Sequence, residues 1–263
     1  GHYSDHIIFI ASWLKPLFEK QGLPKSKSSS VILNGANANT FNRRSKANWD
    51  RTRKMRIVTH HFGGNYMKGH DIYLQLDSLL SDKKFSDRFE FTFVGNIPKN
   101  IHYRNTKLVR PLSGDSLANK LRSNDVYITA SRNEPAGMHH IEGALCGLPI
   151  LYIESGALPE YCHEFGIGFT EVTFVEKLNE MYNRYEEFLE NIKKYPHTSD
   201  HMNEQYYKLF QTLLSRKASF TIIKNSNKLS TIYSISWDNI MLHLKSVLVR
   251  AKGLYRSYFF RKK

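Results

Sequence analysis

Short strand-like segments alternate with helical patterns along most of the chain, and this alternation limits the fold more than any other feature. Strands rich in β-branched and aromatic residues are predicted at residues 55–60, 89–96, 107–111, 125–131 and 148–153. The segments between them, about 8 to 20 residues each, carry apolar groups at helical spacing. Strands linked by helices favour βαβ units, so we predict an α/β fold, a Rossmann-like parallel sheet flanked by helices.

Two further helices are predicted after this sheet. Apolar residues recur at helical spacing from residue 174 to residue 194, and the Tyr195-Pro196 pair is expected to end that helix. A second helix fits from Ser199 to Leu214. Nothing in the sequence indicates an internal repeat.

The length of 263 residues allows one large domain and part of another. The chain opens on a strand and a helix with no partner strand upstream. We therefore expect residues 1–29 to be the end and linker of a second, absent domain. Residues 30–215 are expected to form the main domain, and residues 216–263 a basic, helical tail.

Positive charge is concentrated in that tail. The chain has a net charge of +14, from 38 lysines and arginines and 24 acidic residues. Residues 215–263 contain 11 of these basic residues and one acidic residue, so this segment carries +10 of the net charge. Apolar residues between 237 and 251 recur at helical spacing, which is typical of a packing helix. Residues 251–263 mix basic and aromatic side chains, as segments that bind anionic membrane surfaces do. Nucleic acid would suit the same charge, but no RNA- or DNA-binding motif accompanies it.

The sequence contains neither a signal peptide nor a run of about 18 apolar residues. Its two cysteines, Cys146 and Cys162, lack metal-ligand spacing and are expected to be reduced and at least partly buried. We therefore expect a cytoplasmic protein, attached peripherally to the inner face of the membrane through residues 251–263.

Two glutamates, Glu134 and Glu142, lie eight positions apart after the predicted strand 125–131. Ligands of parallel α/β sheets bind outside the carboxyl ends of the strands, which is where this strand would deliver Glu134. Gly137 would let the backbone approach a ligand, and the helix that follows would direct its free N–H groups into the crevice. Both carboxylates could then accept hydrogen bonds from sugar hydroxyls. On spacing alone, an equal alternative is that Glu134 caps the helix and Glu142 is an exposed helix residue.

The segment "SRNEPAGMHHIEGALCGLPIL" resembles the E-x7-E signature of retaining GT-B glycosyltransferases of the group 1 (family 4) class. Other motifs of that class occur in the same order, namely "NG" at 34–35, "KG" at 68–69, "FVG" at 93–95 and "SGALPEYC" at 155–162. The resemblance covers residues 5 to 170 and implies the C-terminal, donor-binding half of a GT-B fold.

The resemblance also implies roles for individual residues. Glu134 would contact the hydroxyls of the transferred sugar, Glu142 would hold the nucleotide ribose, and Lys68 would neutralise the pyrophosphate. Glu134 and Lys68 are thus the candidate catalytic residues. The remaining candidates for donor binding are Asn65, Gly95, the backbone of Ala136, Gly137 and Met138, and His139.

One feature of the family is missing. Its members usually carry an arginine five residues before the lysine, but "HHFGGNYMKG" has none. His61 and Asn65 are the candidates to replace part of its role, and a protonated histidine would restore some of the charge.

The function implied is transfer of a sugar from a nucleoside-diphosphate sugar to an acceptor hydroxyl with retention of configuration. A sugar or lipid-linked acceptor, in polysaccharide or glycolipid synthesis at the cell envelope, would suit a basic tail. No cofactor or metal is expected, because adjacent histidines point in different directions and chelate poorly. The chain alone is expected to be inactive or nearly so. The alternatives are an epimerase of nucleotide sugars with the GT-B fold, and a membrane- or nucleic-acid-binding module with a degenerate transferase site.

Overall fold

A computed structural model of the chain describes residues 4–220. Strands β1 (Ile7–Phe9) and β2 (Ser29–Val31) pair in parallel and form a small sheet, with helix α1 (Leu14–Lys20) between them in sequence. The central sheet has six strands, all parallel. They are β3 (Met55–His61), β4 (Phe89–Gly95), β5 (Lys107–Val109), β6 (Val126–Thr129), β7 (Ile150–Ile153) and β8 (Gly166–Phe169).

Helices connect these strands, as a parallel sheet requires. They are α2 (His70–Leu79), α3 (Lys83–Ser86), α4 (Gly114–Arg122), α5 (Met138–Leu145), α6 (Leu158–Cys162), α7 (Phe174–Asn183), α8 (Tyr185–Ile192) and α9 (Ser199–Phe220). A single 3-10 turn, Tyr66–Lys68, precedes α2. The predicted α/β fold with a helix-flanked parallel sheet is thereby confirmed.

The strand order is β5-β4-β3-β6-β7-β8. The chain therefore builds outward from β3 to β5, crosses back, and builds outward again from β6 to β8. The reversal point lies between β3 and β6. In open parallel sheets, a crevice forms there outside the carboxyl ends of the strands.

Helices cover both faces of the sheet. Thr59 and His61 of β3 contact the hydroxyl of Tyr73 in α2. His60, which lies between them, contacts Glu142 of α5. This alternation is the two-residue period of a strand buried on both sides. Large, fully buried side chains fill the space on either face, among them Tyr73, Tyr127, Phe89, Phe91, Phe93, Met55 and Leu76.

Two elements differ from the prediction. Strand β8 adds a sixth strand that the sequence analysis did not include. The segment predicted as one helix over residues 174–194 forms two, α7 and α8, which meet at Arg184. Trp49 packs edge-to-face against Tyr182 and Tyr185 at this junction, with ring centroids 4.7 and 5.4 Å away. The one-sided apolar pattern continues across the break because both helices bury the same stripe.

The central sheet belongs to one compact unit, which ends at Lys208. The predicted helix from Ser199 to Leu214 is confirmed and extends to Phe220. The membrane-binding segment predicted at 251–263 and the packing helix predicted at 235–250 lie outside the described residues. Within residues 4–220, no helix is long and apolar enough to cross a bilayer. Cys146 and Cys162 are free and buried, and burial raises the pKa of the Cys146 thiol to about 12.

Candidate active site

Three loops meet at the carboxyl edge of the sheet beside the reversal point. The β3–α2 loop is joined to the β6–α5 loop by a hydrogen bond from the Arg132 backbone N–H to the Met67 carbonyl, 2.8 Å long. The β7–α6 loop is joined to the β6–α5 loop by a bond from the Ala157 N–H to the Glu134 carbonyl, at 2.9 Å. These backbone bonds bring together residues that are far apart in sequence.

Lys68 and Glu134, the two candidate catalytic residues, form an ion pair at this junction. The Lys68 ammonium donates to Glu134 Oε2 over 3.0 Å. The carboxylate side chain is 10% exposed and the lysine side chain 24% exposed. The pair therefore lies in the wall of the crevice, partly shielded from water but open to a ligand.

Gly69 makes this close approach possible. Its φ of 76° places it in the left-handed region, and a Cβ there would lie 2.2 Å from the Ala130 carbonyl oxygen. A residue with a side chain would push the Lys68 turn away from the β6–α5 loop. The glycine of the "KG" pair thus positions its lysine against Glu134.

Arg132 forms a second connection between the two loops. Its guanidinium donates two hydrogen bonds to Asp71, at 2.8 and 2.5 Å, and further bonds to Glu171. Two parallel hydrogen bonds between a guanidinium and a carboxylate fix the orientation of both groups and strengthen their interaction. The two carboxylates hold the pKa of Arg132 far above its usual range. Because Asp71 lies in the first turn of α2, this pair holds the start of α2 beside the loop that carries Glu134.

Glu142 lies on α5 and reaches across the reversal point to β3. Its Oε2 is 2.8 Å from His60 Nε2, and the glutamate side chain is 19% exposed. The other nitrogen of His60, Nδ1, is 3.1 Å from the Tyr127 hydroxyl. The imidazole is thus held between a tyrosine and the carboxylate, and Glu142 is not a free surface residue. This geometry disfavours the alternative in which Glu142 is an exposed helix residue.

The loop between the glutamates leads into the N-terminus of α5. Gly137 is the N-cap, Met138 begins the helix and is exposed, and Ala136 is buried. A Cβ at Gly137 would lie 2.6 Å from the His139 ring and 2.9 Å from the Glu134 carboxyl carbon. A side chain at this position would therefore have to displace His139 or Glu134. The unpaired N–H groups of the first turn favour an anion near this point.

His61 does not supply the charge that the missing arginine would have carried. It is buried, and its Nε2 lies 2.8 Å from the Tyr73 hydroxyl. Burial lowers the pKa of His61 well below its ordinary value, so the ring is neutral near pH 7. The expectation that a protonated His61 restores positive charge is therefore wrong.

His139 contributes to the base of the site. Its Nε2 lies 2.8 Å from the Thr129 hydroxyl, and its ring packs 4.9 Å from that of His61. Burial lowers the pKa of His139 as well, which makes it another neutral group. A contact between His139 and a donor stays a prediction.

The two other predicted donor-binding residues lie in the loops around the crevice. Asn65 is exposed and immediately precedes the 3-10 turn that ends in Lys68. Gly95 ends β4 with φ of 142°, and a Cβ there would lie 1.9 Å from the His61 carbonyl oxygen. The close approach of β3 is sufficient to require glycine at this position, and a contact of Gly95 with a nucleobase stays a prediction.

The two histidine pairs diverge, as the sequence predicted. His60 contacts α5 while His61 contacts α2, and His140 packs on Tyr161 while His139 bonds to Thr129. Across residues 4–220, no group of three or more histidine, cysteine, aspartate or glutamate side chains is arranged to hold a metal ion.

Comparison with solved structures identifies the fold. A glycosyltransferase from Rickettsia africae ESF-5 is similar over 80% of this chain, with a TM-score of 0.62 and 15% identity. A sucrose-phosphate synthase from Thermosynechococcus elongatus covers 81% with a TM-score of 0.60 and 16% identity. The pneumococcal O-GlcNAc transferase GtfA, in complex with UDP and GlcNAc, covers 80% with a TM-score of 0.60 and 14% identity. The domain has the Rossmann-like fold of GT-B glycosyltransferases.

The similarity concerns the fold and part of the length. The chain spans 64% of the Rickettsia protein, 59% of the synthase and 45% of the pneumococcal transferase. No protein-family model matches the sequence, and a comparison with curated proteins finds no match.

Two residues of this candidate site, His60 and Arg132, are not among the binding residues predicted from the sequence. Each bonds to a partner that is distant in sequence, Glu142 for His60 and Asp71 for Arg132. A usable signal existed for Arg132, because it lies two residues before Glu134 in the same loop. No comparable signal marked His60, whose role depends on the pairing of β3 with β6.

Proposed function

We propose that this domain binds the nucleoside-diphosphate sugar donor of a retaining glycosyltransferase, which transfers the sugar to an acceptor hydroxyl. The observation that carries the proposal is the Lys68–Glu134 pair beside the N-terminus of α5, at the reversal point of a GT-B sheet. A cation, a partly buried carboxylate and the N–H groups of a helix N-terminus meet where parallel sheets bind ligands.

Each group has a role in this proposal. Glu134 accepts hydrogen bonds from hydroxyls of the transferred sugar, and Glu142 accepts them from the ribose. Lys68 and the first turn of α5 meet the diphosphate. Asn65, Gly95 and His139 complete the donor contacts, with Gly95 near the base.

The chemistry follows from charge. As the bond from the anomeric carbon to the diphosphate breaks, its electron pair passes to the departing oxygen, and negative charge accumulates there. A fixed ammonium group and helix N–H groups stabilise that charge more in the transition state than in the ground state. Since these groups can carry the stabilisation, the proposal includes no divalent metal and no cofactor.

The acceptor and the setting belong to the proposal as well. We propose a sugar or lipid-linked acceptor in polysaccharide or glycolipid synthesis, with the basic segment 251–263 resting on the inner face of an anionic membrane. The chain spans between 45% and 64% of the three proteins described above, and we expect little or no transfer activity from it alone.

Thermal unfolding with UDP, GDP and ADP tests the proposal. We expect one of the three to raise the unfolding midpoint in a concentration-dependent way, because a ligand that binds the native state stabilises it. A module with a degenerate site would respond to none of them. The corresponding free nucleosides are the matched controls for the diphosphate contribution.

A further inference from the structure

The positive charge of Lys68 is already compensated before any donor binds. Glu134 Oε2 lies 3.0 Å from the ammonium, and the carboxylate is largely buried. An ion pair that is partly shielded from water interacts more strongly than an exposed one. A diphosphate that arrives at this site must therefore compete with Glu134 for Lys68.

The groups around the pair offer little substitute charge. Arg132 is occupied by Asp71 and Glu171. His61 and His139 are buried against each other, with His61 bonded to Tyr73 and His139 to Thr129, and burial keeps both rings neutral near pH 7. Compared with Arg132, His61 and His139, Lys68 is thus the side chain whose positive charge can interact with the diphosphate.

We propose that Glu134 is a specificity-determining residue that makes the site favour the sugar-loaded donor over the free nucleoside diphosphate. The inference rests on the proposed function. When the sugar is present, its hydroxyls donate to the Glu134 carboxylate, and Lys68 turns toward the diphosphate. After transfer, the hydroxyls are gone and Glu134 competes for Lys68 again. The product is thereby bound less tightly than the substrate, which favours its release.

Glu134→Gln should strengthen binding of the bare nucleoside diphosphate by about three- to tenfold, since it removes the competing charge of a partly buried pair. The same change should not strengthen binding of the nucleotide sugar, because the amide is a weaker acceptor for the sugar hydroxyls. The ratio of the two affinities should therefore fall.

Calorimetric titration of the full chain tests this inference, using UDP with UDP-glucose, GDP with GDP-mannose, and ADP with ADP-glucose. The variants are Glu134→Gln, Lys68→Ala and the double variant, with Glu142→Gln as the matched control that removes a carboxylate which does not contact Lys68. If Glu134→Gln unfolds, Glu134→Ala takes its place. We expect Glu134→Gln to strengthen diphosphate binding, to have no such effect in the Lys68→Ala background, and Glu142→Gln to weaken it.

The titrations distinguish a failure of the proposed function from a failure of the inference about Glu134. If none of the three diphosphates binds the unaltered chain, the proposed function falls and the inference falls with it. If a diphosphate binds and Lys68→Ala weakens it, but Glu134→Gln leaves it unchanged or weaker, the inference alone is overturned. An equal gain with and without Lys68 also overturns it, because the effect would then be general electrostatics.

Discussion

Replacing Glu142 tests the geometry of the site without altering the Lys68–Glu134 pair. One carboxylate oxygen of Glu142 is bonded to His60 at 2.8 Å, which leaves the other oxygen for ribose hydroxyls. Hydrogen bonds to charged groups contribute about 1.5–3 kcal/mol each, and water replaces part of that loss. We therefore expect Glu142→Ala to weaken nucleoside diphosphate binding by about 1–3 kcal/mol, which corresponds to about a 5- to 150-fold increase in Kd.

The ligand series separates this effect from a loss at the phosphates. Ribose is common to a nucleoside and its diphosphate, so Glu142→Ala should weaken both by similar factors in calorimetric titration. Glu142→Gln should lose less, because the amide oxygen can still accept a bond from His60. Glu187→Ala, which removes an exposed carboxylate on α8, is the matched control and should leave binding unchanged.

If the Glu142→Ala protein is folded and its affinity for the diphosphate is unchanged, Glu142 does not touch the ribose. The His60–Glu142 pair would then serve only to hold α5 against β3.

Three other predictions concern stability and the tail. Asp125 is fully buried and accepts bonds from Arg53, at 2.5 and 2.8 Å, and from the Arg56 N–H. Asp125→Ala should therefore lower the unfolding free energy by about 1.5–3 kcal/mol in urea denaturation, because it removes the charged acceptor of these bonds while Arg53, 30% exposed, keeps access to water, and a loss below about 1 kcal/mol would contradict this. His140 is buried without a hydrogen-bond partner for either ring nitrogen, and burial lowers its pKa to about 3. An unfolded histidine gains its proton near pH 6.5, so His140 stabilises the fold above that pH, and this contribution falls progressively toward pH 3. His140→Phe should thus reduce the loss of stability between pH 7 and pH 5 by about 2 kcal/mol, and an unchanged loss would show that His140 does not titrate. Residues 251–263 should bind phosphatidylglycerol vesicles in co-sedimentation, and the membrane prediction fails if the full chain and a chain ending at residue 250 both stay in the supernatant at moderate salt.

The central strands could be predicted because their sequences carry a strong local signal. "MRIVTH" and "FEFTFVG" combine β-branched and aromatic residues, and both form strands that are buried on the two faces. Strand β8 reads "GIGF", and two glycines in four residues give it little intrinsic preference for a strand. Its pairing with β7, a tertiary contact, decides its structure.

The helices, too, could be predicted only as far as their local sequence patterns determine them. Apolar spacing predicted α2, but it did not reveal the break at Arg184. A periodic stripe reports which face of a helix is buried, and α7 and α8 bury one continuous stripe. The contact of Trp49 with both helices depends on a segment about 130 residues away in the chain, which no local pattern contains.

The sequence predicted part of the candidate site as well. Motif order identified Lys68, Glu134 and Glu142, and the fold brings all three to the crevice between β3 and β6. The partners of these residues depend on how the loops meet. The neutral state of His61 depends on burial, which the "HH" pair in the sequence does not show.

The central claim is that this crevice binds a nucleoside diphosphate through Lys68. Its most direct test is calorimetric titration of the unaltered chain and of Lys68→Ala with UDP, GDP and ADP, each paired with its nucleoside. We expect one diphosphate to bind the unaltered chain, and Lys68→Ala to weaken that diphosphate far more than the nucleoside, because only the diphosphate presents the charge that Lys68 meets. Equal losses for the two ligands, or no binding by any of the three diphosphates, would contradict the claim.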